Sequence, residues 1–357
     1  MLSVKTEQYL RPTFNVSLYK QVWSAVQIIP NYLNNVENIM TAFKFVGVDV
    51  AKDKFDVALS VNNKYQHKCF ISNKKGYSDF LKWLGKHTQN PWVCMEATGH
   101  YSEIIAEFLS KQHIRTSIVN PLQIKSFARV KLSRNKNDII DAQIIAEYCE
   151  KMHPRTFVPR SDSQKELKDL TKILDTLKAQ QVQFKNQLAS TQGKLAKKAL
   201  QKLIKGLQKE IINIEAQLND LVKNNEKLDE NMTLITSIKG VGDMTAYKIL
   251  AQIPDINNFS SAKQFAAYIG ISPKQHQSGN FQGRTTISRI GDGRIRKALY
   301  MAALVAKRFN PALAPFVKRL ELKGKAPKSI ICAVMRKLAH LIFGVLKNRQ
   351  SYNPQFV

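Results

Sequence analysis

Hydrophobic positions follow two periods in two separate blocks of the chain. From Phe43 onward, short runs rich in Val, Ile and Phe read as β-strands: KFVGVDVA, FDVALSV and KYQHKCFIS, with turn-type residues between the last two. YSDFLKWLGKH then carries apolar residues at helical spacing. PWVCMEA reads as a buried strand, SEIIAEFLSKQ as a helix and RTSIVN as a strand. After Pro121 a basic segment, IKSFARVKLSRNKN, leads into the helical run DIIDAQIIAEYCEKM, and Pro154 and Pro159 close the block. Three strands followed by alternating helices and strands predict a mixed α/β sheet with helices packed on it.

The second block is helical. Pro is absent from Arg160 to Ile253, and apolar residues recur every three or four positions. They run Leu167, Leu170, Leu174 and Leu177, then, after a break near Ser190 to Gly193, Leu200, Leu203, Leu207, Ile211, Ile214, Leu218 and Leu221. That spacing predicts two long helices, as an antiparallel hairpin or an intermolecular coiled coil, and assigns 160–228 as a coiled-coil arm. Residues 229–350 read as a helical, basic domain. In it ITSIKGVGDMTAYKILAQI places Gly240 and Gly242 between helical stretches, either as a helix–hairpin–helix facing a phosphate or as a plain tight turn. The chain closes on SIICAVMRKLAHLIFGVLK, an amphipathic helix. Residues 1–41 are weakly patterned and read as an N-terminal extension outside the core. Met40, just before the first strand, is a candidate alternative start.

Charge changes the picture. Among 357 residues, 55 Lys and Arg face 27 Asp and Glu, a net +28. This balance calls for a polyanionic partner, nucleic acid before a membrane surface, because the basic residues are spread along most of the chain. No continuous apolar stretch reaches the roughly 18 residues of a membrane-span candidate, and no basic-then-apolar leader opens the sequence. Cys69, Cys94, Cys149 and Cys332 are far apart and show no zinc-type spacing, so they read as reduced thiols of an intracellular, cytoplasmic protein.

Against that basic background four acids stand out. Asp49 lies in the apolar run FVGVDVAKDKFDVAL and Glu96 ends PWVCMEATG. Asp138 and Asp141 are three apart in KNDIIDAQIIAEYC, on one face of a helix. A buried, unpaired carboxylate is costly, and a hard cation such as Mg²⁺, which takes oxygen ligands, relieves that cost. Two such ions about 4 Å apart clamp the attacking and leaving oxygens of a phosphodiester. Asp53, in the AKDK turn, reads as solvated. Asp56 shares its strand-face parity with neither Asp49 nor a clear core position and is set aside, and Glu147 reads as a surface ion-pair partner.

Two basic clusters complete the candidates. Lys125, Arg129, Lys131, Arg134 and Lys136 precede the paired acids, where they would hold phosphates. Arg284, Arg289, Arg294, Arg296 and Lys297 lie in the second block, near Ser272, Ser278 and Ser288. A serine there could attack a phosphodiester if its proton were taken. Sequence chemistry does not choose among the three.

Taken together, GVDVAKDKFDV, EATGHY, NPLQIKSFARV through NDIIDA, IKGVGDMTA, FAAYIGISPKQHQSGN, ISRIGDGRIRKALYM and AVMRKLAHLIFGVLK occur in an order that resembles the DEDD transposases of the insertion-sequence-110 family, the RNA-guided bridge recombinases. The resemblance covers roughly 43–347. It implies a ribonuclease-H-like domain, as in Holliday-junction resolvases, over 42–158, with Asp49, Glu96, Asp138 and Asp141 as catalytic metal ligands for Mg²⁺ or Mn²⁺. It implies a helical transposase domain over 229–350 whose nucleophile falls on Ser278. It further implies DNA strand cleavage and exchange through a phosphoserine link, a structured noncoding guide RNA, DNA of element ends and target, and a homo-oligomer, dimer or tetramer. The competing expectation is a metal-dependent, structure-specific DNA junction endonuclease that uses water.

Overall fold

The computed structural model describes residues 43–356, apart from 62–63, 133–136, 254, 276, 279–280 and 284. The N-terminal extension and its Met40 start therefore lie outside the described residues, as do Arg134, Lys136 and Arg284. The chain divides into two units that meet at Pro159 and Arg160.

The first unit is built on a five-stranded sheet. β1 (Lys44–Val50), β2 (Lys54–Val61) and β3 (Lys64–Ile71) form an antiparallel meander. α1 (Lys74–His87) follows, started by the Asn73 side chain accepting from the Gly76 N–H. β4 (Pro91–Glu96) pairs parallel to β1, and after α2 (His100–Lys111) β5 (Arg115–Val119) pairs parallel to β4. The order is β3-β2-β1-β4-β5. Alternation splits the strand residues between two cores. Val46, Val48, Phe55, Val57 and Leu59 pack with Phe80, Leu84, Ile105 and Leu109 on one face. Trp92 and Cys94 pack with Ile144, Ile145, Tyr148 and Cys149 on the other.

That second face is covered by α4 (Asp138–Met152), which lies over β1, β2 and β4. Gly47 sets how closely it lies. A Cβ there would stand 2.0 Å from the Ala142 carbonyl oxygen and 2.3 Å from the Ala146 nitrogen. The basic segment after Pro121 is not a loop throughout. Asn120 caps and Pro121 opens α3 (Pro121–Val130), with Ile124 buried. Asn-Pro here starts a helix, because proline fits the first helical turn.

The second unit is helical. α5 (Asp162–Ser190) opens with a capping box between Ser161 and Gln164, and α6 (Lys194–Lys223) runs back along it. Ser163 meets Asn225, Lys178 meets Glu215 and Gln181 meets Gln208. One partner's number rises as the other's falls, so the pair is antiparallel and within one chain. The base of this hairpin shares its core with the helices that follow: Leu167, Leu170, Leu174, Ile214 and Leu218 pack with Ile235, Ile249 and Phe265. α7 (Glu226–Thr236) and α8 (Asp243–Gln252) flank the two-glycine turn. Gly240 has φ +102° and Ala306 packed against it, so the turn is a close helix contact. α9 (Ala262–Ile269) leads to four two-residue strands, β6 (Pro273–Lys274), β7 (Gln277–Ser278), β8 (Phe281–Gln282) and β9 (Thr286–Ile287). α10 (Gly293–Phe309), α11 (Ala314–Leu322) and α12 (Pro327–Asn348) complete the unit.

α12 is the amphipathic helix expected at the end of the sequence. It is long and apolar enough to cross a membrane by length and composition, although the charged Arg336-Lys337 pair interrupts the run. Half of its apolar stretch is buried, and Ile330, Val334, Leu338 and Ile342 face the unit's core.

Candidate active site

The sheet itself brings three carboxylates level. In the β1–β2 hairpin Val50 faces Phe55 and Asp49 faces Asp56. In the parallel β1–β4 pair Val48 faces Met95, and one residue further sets Glu96 level with Asp49. Residues at one register on adjacent strands point to the same face. That face also carries Gly47, two residues before Asp49, and is therefore the face under α4. The close approach at Gly47 brings the first turn of α4 over the row. Asn137 caps that turn through its side chain, which accepts from the Ile140 N–H. Asp138 and Asp141 both fall in it, where the helix N-terminus favours negative charge.

The electrostatics of Asp49 follow from this arrangement. Burial pushes the half-buried Asp49 carboxyl up to about 6, helped by the charges of Asp141, Asp138, Glu96 and Asp56 in that order. Four acids thus surround Asp49. Asp138 is held below the ordinary carboxylate range, chiefly by its hydrogen bond from Lys54.

Asp56 corrects the parity reading of the sequence, because it shares its face of the sheet with Asp49. It is 5 % exposed and directly opposite Asp49. His67 Nε2 lies 3.0 Å from its Oδ1, and Lys54 Nζ lies 3.1 Å from its Oδ2. The same Lys54 ammonium donates to Asp138 Oδ2 at 2.6 Å. The usable signal was the AKDK turn. The Ala51 N–H donates to the Lys54 carbonyl, and a tight hairpin closed there pairs outward residue by residue, 50 with 55 and 49 with 56.

The donor set suits a hard divalent cation: oxygen ligands throughout, strongly negative, with an ammonium already standing as a cation between two of them. Among the described residues no group of three His, Cys, Asp or Glu side chains closes into a ready-made cage.

The basic candidates divide. Lys125 and Arg129 are exposed on α3. Lys131 is paired with Glu147. In the second unit Lys297 is exposed, and Arg289 is exposed with φ 57°. Arg294 donates to Gln252 Oε1 at 3.3 Å. Arg296 Nη1 donates to the Ile269 carbonyl at 3.0 Å and the Arg289 carbonyl at 3.4 Å, tying the end of α9 to the start of α10. Its guanidinium is at least partly committed to the fold.

Ser278 is exposed in β7, paired with Phe281 of β8. Ser272 and Ser288 differ from it: the Ser288 N–H donates to the Ser272 carbonyl at 2.9 Å, so both lie in the backbone pairing that joins the ends of the segment.

Comparison with known proteins gives two family matches. Residues 46–192 match a model described as a transposase, and residues 232–318 match one described as the transposase IS116/IS110/IS902 family. A pilin gene-inverting protein of Moraxella bovis is 32 % identical over 317 residues, covering 87 % of this chain and 98 % of the relative. The transposase for insertion sequence element IS1111A of Coxiella burnetii is 24 % identical, covering 88 % of this chain and 92 % of the relative. The transposase for IS1328 of Yersinia enterocolitica is 23 % identical, covering 84 % and 96 %.

Proposed function

As a member of the IS116/IS110/IS902 transposase family this chain is a DNA transposase or recombinase with a ribonuclease-H-like first unit, and we propose that it exchanges strands through a phosphoserine link at Ser278. The observation that carries the metal-dependent half of this reading is the row Asp56, Asp49, Glu96 across three strands, with Asp49 pushed up to about 6 by burial and its acidic neighbours. Transposases of this type use divalent ions. Asp49, Glu96, Asp138 and Asp141 would hold Mg²⁺ or Mn²⁺ here, and the ion would supply charge neutralisation at the reacting phosphate.

The chain's own groups do the rest. The Ser278 Oγ forms a bond to phosphorus as one bridging P–O bond of the DNA strand breaks. The serine proton leaves to solvent, and the departing oxygen takes up a proton as a free hydroxyl. A second strand's hydroxyl then displaces Oγ, so the phosphodiester energy is conserved and no ATP is needed. Exposure of Ser278 supports this role, because a nucleophile must reach a backbone phosphate. The exposed Lys125, Arg129, Arg289 and Lys297 would bind backbone phosphates, which position the duplex without reading its sequence. The net +28 is suited to a structured noncoding guide RNA alongside DNA, with sequence choice delegated to base pairing. A dimer or tetramer is part of the same proposal.

The test is a covalent trap. Wild-type protein, element-end DNA and Mn²⁺ should give a denaturant-resistant protein–DNA adduct. Ser278→Ala should give none and should lose roughly a thousandfold or more in strand exchange. If Ser278→Ala cleaves as wild type does and neither protein gives an adduct, water is the nucleophile and the protein acts as a junction endonuclease.

A further inference from the structure

The acid cluster contains a cation of its own. Lys54 Nζ stands 2.6 Å from Asp138 Oδ2 and 3.1 Å from Asp56 Oδ2. The two acids come from different elements, one from the second strand and one from the helix that crosses it. Asp56 is almost fully buried and is fixed from its other side by His67 at 3.0 Å. The Lys54–Asp138 pair alone would be an ordinary surface ion pair, with side chains 48 % and 54 % exposed, and would contribute little. Asp56, by contrast, is anchored inside the sheet, directly opposite Asp49, and Asp138 belongs to the set that would hold metal.

We propose that Lys54 is a resident cation of this cluster: its ammonium keeps the place of one divalent ion between Asp56 and Asp138, so that the protein takes up a single divalent ion while Lys54 is in place. This rests on the metal-dependent reading given above and deepens it. The physical argument is charge. The Asp138 carboxylate has lone pairs enough for the ammonium and one ion, but a second dication near an ammonium is repelled by it. Lys54 also offsets the mutual repulsion of Asp49, Asp56 and Asp138 when no metal is bound, so it holds the first turn of α4 against the strands. It is thus a positioning residue, acting through Asp138, and it makes the site selective in number of ions.

Titration calorimetry of the full chain with MnCl₂ tests this. Wild type should take up one Mn²⁺ per chain. Lys54→Gln, which keeps the length and removes the charge, should take up two, with the first bound about tenfold more tightly. Lys54→Arg, which keeps the charge, should behave as wild type. In chelator, Lys54→Gln should melt below wild type and recover with Mn²⁺, a metal-linked shift that loss of a merely structural contact would not show. Lys54 is 48 % exposed, so the substitutions leave the core intact. Two Mn²⁺ per wild-type chain would overturn the proposal, as would unchanged stoichiometry and affinity in Lys54→Gln. If neither protein binds Mn²⁺ at millimolar concentration, the metal-dependent reading falls and this inference falls with it. Equal binding by both removes Lys54 alone.

Discussion

The acid row and the serine segment are built in opposite ways. Asp49, Asp56 and Glu96 are placed by the ladders of three neighbouring strands, and Asp138 and Asp141 by a capped helix that Gly47 allows to lie close. Their positions are therefore part of the fold's own hydrogen bonding and packing. Ser278 sits in a two-residue strand that is exposed to solvent, and the segment's ends are joined by Ser272, Ser288 and Arg296. One region cannot change chemistry without changing stability. The other exposes its chemistry on a surface, with separate residues doing the holding.

Gly47→Ala gives the largest expected break on the sheet side. Its Cβ would meet two backbone atoms of α4, which cannot yield as a side chain would. A loss of about 3 kcal/mol or more is expected in denaturant melts, together with loss of strand exchange. Wild-type stability in this variant would mean that α4 does not rest on β1 as described.

Asp49→Asn separates function from stability within the acid row. Strand exchange should fall at least about a hundredfold, while the metal-free protein should gain on the order of 1 kcal/mol at neutral pH, allowing for solvent that reaches the half-buried carboxyl. The sign follows from the direction of the shift. Folding raises Asp49 from 3.8 to about 6, so the folded state holds this proton more tightly than the unfolded chain. Its contribution to stability is fully present below about pH 3.8 and is lost as pH rises through about 6. Chelated wild type should therefore lose stability relative to Asp49→Asn across that window, as measured by melts at a series of pH values. A constant difference from pH 4 to pH 7 would remove Asp49 from the cluster. Metal uptake should release about half a proton near pH 6 and almost none at pH 8.

The smallest effects sharpen the serine side. Arg296→Ala should cost about 1–2 kcal/mol in melts, because two carbonyls lose a charged donor. Lys297→Ala should leave the melt unchanged and weaken nucleic-acid binding several-fold, reducing the slope of log affinity against log salt by about one. Equal effects of the two on binding, with no change in melting, would erase the division between holding and contacting residues.

Much of the sheet was legible because strands and helices differ in period. The runs around Val46–Val50, Trp92–Glu96 and Asp138–Met152 carried their element type in the alternation of apolar residues, and the break at 190–193 marked the hairpin. The helix after Asn120 was hidden because its exposed faces are polar and basic, so only the cap and Pro121 announced it. Asp49, Glu96, Asp138 and Asp141 drew notice in the sequence because each is an acid in an apolar or helical run. Asp56 was lost because face parity along one strand does not say which residue stands opposite on the next. The turn between them does.

Composition, period and the order of motifs by themselves determined a basic, nucleic-acid-directed protein with an α/β unit, a helical unit and four acids in suspect places. Only the tertiary structure decided that Asp56 faces Asp49, that Lys54 stands between Asp56 and Asp138, and that Arg296 donates to two carbonyls through Nη1. The reason is that local sequence encodes which way a side chain points from its own element. Which charges then meet depends on strand register and on how near a helix can come to a sheet, and both are set by contacts between residues far apart in the chain.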